Sequence, residues 1–365
     1  MLTLPGYPWD AMAPYVELAR SHPDGVVDLS IGTPVDETPE IIRDALASAA
    51  DAPGYPTTHG RLELREAVAG WFARRRGVTG LDPEAVLPTI GSKELVAWLP
   101  TLLGLGEGDV VLRPLVAYPT YDIGAQIAGA TPVATDDPSS LDEETLSRVR
   151  LIWLNSPSNP TGAVASAEEM ADVVALARRV GAVVASDECY AELPWTVDDV
   201  PSVLDARVSS GDHRGLLAIY SASKQSNLAG YRAAFAAGCP ELIAGLVNTR
   251  KHAGMIMPAP VQEALRVALN DDAHVAVQRG RYQQRRELLI PALEASGLQL
   301  RHSEAGLYLW CTGGSRDAWS LVRTMAERGI VVGPGTFYGE HGHGFIRVAL
   351  TASDERIEAA ARRLG

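Results

Sequence analysis

The chain has 365 residues, 46% of them hydrophobic, and a net charge of −13. At roughly 100–200 residues per domain this length gives about two domains, with a composition that supports a sizeable core. The acidic balance argues against nucleic acid, which calls for a basic face. Cys189, Cys239 and Cys311 are odd in number and widely spaced, so they form neither a disulfide framework nor a metal-ligand pattern. No run of about 18 apolar residues occurs, so no membrane span is expected. The start, MLTLPGYPWDAMAPY, lacks the basic and apolar regions of a signal peptide, and the expected compartment is the reducing cytoplasm.

Residues 1–30 read as an arm rich in proline and aromatics, with a helix from about Ala11 to Ser21 and a short strand, VVDLSIG, ending at Gly32. Helical spacing covers 39–50 and 61–76, the second with Leu62, Leu64, Val68, Trp71 and Phe72. From residue 86 strands and helices alternate. VLPTIG leads into a helix from Ser92 to Leu103, DVVLRP into one from about Tyr118 to Ala128, and LIWLN into a turn and a helix from Ser166 to Val180. AVVASDE and LLAIYSAS follow as strands. Apolar strands with little alternation, joined by helices, predict an α/β fold whose mainly parallel sheet is covered on both faces. Beyond about residue 240 a long helical region is expected over 260–295. Short strands follow in LQLRHSE, GLYLWC, GIVVGPG and HGFIRVAL, with a final helix, as in a smaller α+β domain. The expected division is 1–35 as arm and part of the small domain, 36–245 as the large domain, and 246–365 as the small domain.

Chemistry concentrates around Lys224 in Ser221-Ala222-Ser223-Lys224, with Arg232 eight residues on. Upstream lie Asp187 and Tyr190 in SDECY, and Asn159 in the NPTG turn. A lysine amine, an aspartate closing an apolar strand, a tyrosine, and hydroxyls with an arginine are the parts that hold pyridoxal phosphate. The lysine makes the Schiff base and the acid pairs with the pyridinium nitrogen. Gly91-Ser92-Lys93-Glu94 lies between a strand and a helix start, where backbone amides bind phosphate. Ser92 is equally a good N-cap, and the two roles are compatible.

These ordered motifs resemble the fold-type I pyridoxal-phosphate aminotransferases of class I/II, over roughly Gly32 to Arg347. TIGSKELVAWLPTLLGLG and RPLVAYPTYDIGA resemble the actinobacterial type of N-succinyldiaminopimelate aminotransferase. The resemblance implies that Lys224 moves the proton between substrate Cα and cofactor, and that Asp187 keeps the pyridinium protonated. It implies that Tyr190 and Asn159 contact the cofactor's phenolic oxygen and that Tyr118 stacks on its ring. Ser92, Lys93, Ser221, Ser223 and Arg232 would hold the phosphate. Tyr55 in GYPTTHG would reach the phosphate of a neighbouring subunit, making a homodimer with shared sites. Arg347 would bind the substrate α-carboxylate as a fork of donors, with Asn159 nearby. Gly32 would let the backbone approach that carboxylate. Lys93 is a candidate for the distal end of the substrate, or a surface charge, or a contributor of its backbone amide alone.

The implied reaction is transamination between N-succinyl-LL-2,6-diaminopimelate with 2-oxoglutarate and N-succinyl-2-amino-6-oxopimelate with glutamate, on the route to lysine. Alternatives are an aminotransferase for another amino acid, a carbon–sulfur β-lyase, and a non-catalytic pyridoxal-phosphate-binding regulatory module. No metal is expected at His341 and His343, which lack a supporting carboxylate or cysteine pattern. Cys189 reads as a packed residue, and Arg356, Arg362 and Arg363 as a solvated helix face.

Overall fold

The structure, a computed structural model, describes residues 4–365. Its centre is a seven-stranded sheet. The strands lie in the order Val86–Ile90, Ala233–Gly238, Leu216–Ser221, Val183–Asp187, Val149–Asn155, Val110–Arg113, Thr131–Ala134. Only Ala233–Gly238 runs antiparallel to its neighbours. The two edge strands contain Pro88 and Pro132, residues with no N–H to give a ladder and tolerated at an edge.

Strand side chains alternate between two buried faces, which is why the sequence shows no polar–apolar alternation. One face packs Val184, Ala218 and Phe235 with Trp71 and Phe72, and with Val174 of helix Ala167–Val180. The other packs Leu151, Ala185 and Ile219 under helices Ser92–Leu102, Thr120–Ala128 and Pro240–Ala253. Helix Ala167–Val180 starts on a capping box of Ser166 and Glu169 and stops at Gly181 in the left-handed conformation.

A second core lies around an antiparallel sheet ordered Gly333–Pro334, Phe345–Ala349, Tyr308–Thr312, Gln299–Arg301. Helices Ala273–Ala295, Ala318–Glu327 and Asp354–Leu364 complete it. Val27–Asp28 pairs in parallel with Ile330–Val331, so the arm joins the core built by the end of the chain.

Several expectations change. VVDLSIG contributes a strand of only Val27–Asp28, because the following residues turn away into the site. The first helix opens as a 3-10 turn, Pro8–Met12, before Ala13–Arg20. The helical region 260–295 is two helices, Ala259–Asn270 and Ala273–Ala295. The Asp271 carboxylate accepts from the backbone N–H of Ala273 and His274, starting the second helix afresh. Helix Ala259–Asn270 packs on Glu40–Ser48 and Leu62–Arg76 and adds Leu265 and Leu269 to the large sheet's core. Strand Ala233–Gly238 and helix Pro240–Ala253 were not expected. Arg356 and Arg363 are not merely solvated: they donate to the carbonyls of Val26, Asp24, Arg328 and Gly329, tying the last helix to the arm.

Candidate active site

The register of the large sheet decides which turns meet. Asn155 pairs with Asp187, and Asp187 with Ile219, two residues before Ser221 closes its strand. Ile90 pairs with Ala233, and Ser221 with Ala234. The turn at Gly91, the turn at Ser221–Lys224, and Arg232 therefore converge at the carboxyl ends of the parallel strands, where open α/β sheets bind ligands.

Gly91 has φ +82°, and a Cβ there would lie 2.2 Å from Arg232 Nη2. Only glycine lets the guanidinium lie against the start of helix Ser92–Leu102. Ser221 Oγ donates to Ser223 Oγ at 2.8 Å beside them. Helix amides, two hydroxyls and an arginine form an anion cradle. Arg232 is exposed, with φ 56°, and its Nη1 donates to the Ala229 carbonyl at 2.9 Å.

Asp187 is buried at its strand end. Its Oδ2 accepts from the Tyr121 hydroxyl at 3.0 Å and its Oδ1 from the Cys189 N–H at 3.2 Å. Burial pushes its pKa up, and these bonds only partly offset the rise. A carboxylate so desolvated gains from a cationic N–H donor placed against it. Tyr121 stacks on Trp153 with centroids 4.8 Å apart, and Tyr118 meets Tyr121 edge-on at 5.8 Å. Burial raises the Tyr118 hydroxyl to about 12, so it stays neutral near neutral pH.

Lys224 is half-buried, and its amine donates to the Gly32 carbonyl. Gly32 itself packs on Tyr308: a Cβ there would lie 2.1 Å from the Tyr308 hydroxyl oxygen. That hydroxyl is 3.3 Å from the Tyr190 hydroxyl, both residues being buried. Arg347 is buried on the central strand Phe345–Ala349 of the small sheet. Its Nη1 donates to Asn159 Oδ1 at 2.9 Å and its Nη2 to the Ser30 carbonyl at 2.6 Å, while Nε has no partner among the described residues. The guanidinium lies 3.9 Å from the Tyr308 ring centroid and 5.0 Å from that of Tyr338, a cation–π arrangement that holds the charge without neutralising it. Asn159 is fixed in turn by its backbone N–H to Asn155 Oδ1 at 2.8 Å.

Two expected residues stand apart. Lys93 is exposed, with Nζ 5.9 Å from the Tyr7 ring centroid. Tyr55 is fully exposed, 101% accessible, and none of the described residues covers it. Sequence reasoning missed Tyr121, Trp153, Tyr308 and Tyr338. Tyr121 lies three residues after Tyr118, a helical neighbour spacing, and Tyr308 lies two before Trp310 on one strand face. Neither signal separates a site aromatic from a core one.

An anion cradle, a buried carboxylate that a cationic partner would stabilise, and the Lys224 amine fit pyridoxal phosphate, and an arginine whose buried Nε is unpartnered among the described residues fits a carboxylate substrate. Residues 24–364 match the family "Aminotransferase class I and II". The chain is 54% identical, over 100% of both proteins, to a 4-dedimethylamino-4-oxo-anhydrotetracycline transaminase of Streptomyces rimosus. It is 53% identical to a "probable aminotransferase" of Mycobacterium tuberculosis, over 99% of this chain and 85% of that one. The solved N-succinyldiaminopimelate aminotransferase of Mycobacterium tuberculosis is 29% identical, with TM-score 0.85 over 97% of this chain and 96% of that one. Fold and site together define a pyridoxal-phosphate enzyme of fold type I. The chain belongs to the class I and II aminotransferases.

Proposed function

We propose that this aminotransferase passes an amino group from glutamate to N-succinyl-2-amino-6-oxopimelate, forming N-succinyl-LL-2,6-diaminopimelate and 2-oxoglutarate. The observation that carries the amino-transfer chemistry is the junction at Gly32. There the Lys224 amine, the Tyr308–Tyr190 pair and buried Arg347 come together. The narrower substrate rests on likeness to the solved N-succinyldiaminopimelate aminotransferase and on Lys93 as an exposed cation for a distal carboxylate.

In this reading Ser92, Ser221, Ser223 and Arg232 would hold the cofactor phosphate, with Lys93 adding its amide. Tyr118 would cover the ring, and Asp187 would hold the proton on its nitrogen. Asn159 and Tyr190 would donate to its phenolic oxygen. Pyridoxal phosphate, when bound, supplies an electron sink for the charge left as a proton departs. Arg347 would grip the substrate α-carboxylate, with the Gly32 backbone beside it. Lys224 would take the proton from Cα and return it on the other side of the transfer, a positioned general base. Residues 36–245, joined by helix Ala259–Asn270, would carry the cofactor, and the arm with the remaining C-terminal segment would close on the substrate. Fully exposed Tyr55, with exposed Ile41, Leu62 and Trp98, would meet a second copy in a homodimer whose sites are shared. The place of action would be the cytoplasm, in diaminopimelate and lysine synthesis.

A ring ketone acceptor is the second reading. It is favoured by the full-length match to the anhydrotetracycline transaminase and by aromatic Tyr7 and Trp9 near Lys93 and Arg347. Steady-state kcat/KM with N-succinyl-LL-diaminopimelate, unsuccinylated LL-diaminopimelate, and aromatic and sulfur amino acids tests the proposal. The succinylated compound should lead by at least an order of magnitude, as expected when a buried or pocket-bound charge is recognised. Equal or better turnover of another donor rejects the substrate, and release of pyruvate and thiol indicates a lyase.

A further inference from the structure

The segment Ser30–Thr38 crosses the site as a strap held mainly through its backbone. Arg347 donates to the Ser30 carbonyl, Thr351 to that of Ile31 and Lys224 to that of Gly32. At its far end the strap meets Asn227, three residues after Lys224. Asn227 Nδ2 donates to the Glu37 carbonyl at 3.1 Å and to Gln278 Oε1 at 2.9 Å. The Thr38 hydroxyl returns a bond to the Asn227 carbonyl at 3.2 Å. Gln278 Nε2 donates to Asp36 Oδ2 at 2.7 Å, and Arg285 grips the same carboxylate at 2.6 and 2.9 Å. Asn227 is buried and has φ 55°, a left-handed conformation that costs a non-glycine residue unless its surroundings hold it.

We propose that Asn227 is a positioning residue for amino transfer. It locks the turn bearing Lys224 to the strap bearing Gly32, so that the proton-moving amine and the carboxylate cradle are set as one unit. The inference rests on the roles proposed above for Lys224 and Gly32. The chemistry of the joint supports it. Asn227, on the Lys224 turn, gives both hydrogens of its amide toward the strap: one directly to the Glu37 carbonyl, the other to Gln278 of helix Ala273–Ala295, which in turn donates to Asp36. Glycine at 227 would keep the left-handed backbone and lose both bonds. Aspartate would keep the shape and cannot donate.

The test compares Asn227→Gly and Asn227→Asp with the unaltered, cofactor-loaded protein. Losing two buried bonds should raise KM for the amino donor on the order of tenfold, with retained yellow absorbance showing that the lysine link still forms. Amide hydrogen exchange should speed up severalfold in residues 30–38 and in the turn after Lys224, with helix Ala273–Ala295 unchanged. Unaltered KM and unaltered exchange in Asn227→Gly would show that only the backbone conformation matters, and would overturn the proposal. Loss of protection throughout the chain would overturn it too, by making Asn227 a general stability residue. Lys224→Ala is run in parallel: if that variant still turns over, the reading of the site fails independently of Asn227.

Discussion

Asp187 and Lys224 carry opposite demands within one cluster. Asp187 is desolvated, which disfavours its charge, and its bonds with Cys189 and the Tyr121 hydroxyl, with the nearby Lys224 charge, offset that only in part. Replacing it with asparagine keeps the shape and removes the charge that would hold a ring-nitrogen proton. Turnover of Asp187→Asn should fall by about two orders of magnitude or more, since preorganised charge is the largest single contribution in such sites. Lys224→Ala should abolish turnover and the yellow absorbance while leaving the far-ultraviolet circular dichroism unchanged. Tyr308→Phe removes only the hydroxyl that meets Tyr190 and lies against Gly32. It should cost on the order of tenfold in kcat/KM, the loss of one buried bond. Lys224, Asp187, Tyr190, Asn159 and Arg347 were legible because the ordered motifs that carry them resemble a known family, Arg347 in FIRVAL on that resemblance alone. Tyr121, Trp153 and Tyr308 were not, because a buried aromatic on a helix or strand gives the same pattern whether it packs a core or a cofactor.

Among the elements, the strap Ser30–Thr38 is held through its backbone and, in addition, through the charge of Asp36. Burial alone would raise the Asp36 pKa, but the bonds from Arg285 and Gln278 more than reverse that, leaving it below its ordinary value. A carboxyl lowered in the folded state contributes stability that is full above its unfolded value near ~4 and fades as pH falls through the folded value. Asp36→Asn should therefore lower the melting temperature at neutral pH, and the gap should close on acidification below the usual carboxylate range. A gap that persists into strong acid would mean that charge is not its source. Gly32→Ala should destabilise by about 1–3 kcal/mol through overpacking, because the new methyl meets the Tyr308 hydroxyl. The parallel strands were legible from runs such as LIWLN and AVVASDE. Strand Ala233–Gly238 was not: AAFAAG has no β-branched residue, and burial between two neighbours overrides alanine's weak preference for strands. The break at Asp271–Asp272 was hidden by helical periodicity on both sides, although a pair of aspartates is a reasonable helix start.

At the scale of the molecule two cores meet across the site, the large sheet supplying Asp187, Lys224 and Arg232, the small one Tyr308 and Arg347. The boundary between them was blurred in the sequence because helix Ala259–Asn270 follows residue 245 yet packs with the large sheet. In the proposed homodimer, exposed Tyr55 would reach the neighbouring site. If sites are shared, co-expressing Tyr55→Ala with Lys224→Ala should produce mixed dimers with one intact site, about a quarter of wild-type sites by random assortment. Activity no greater than that of the separate variants would contradict sharing. Amino transfer through Lys224 is tested by single-turnover absorbance of the cofactor-loaded protein. Glutamate alone should discharge the yellow absorbance, and the succinylated oxo acid should restore it. Protein that never turns yellow with pyridoxal phosphate, or that stays yellow with every amino donor offered, would contradict amino transfer through Lys224.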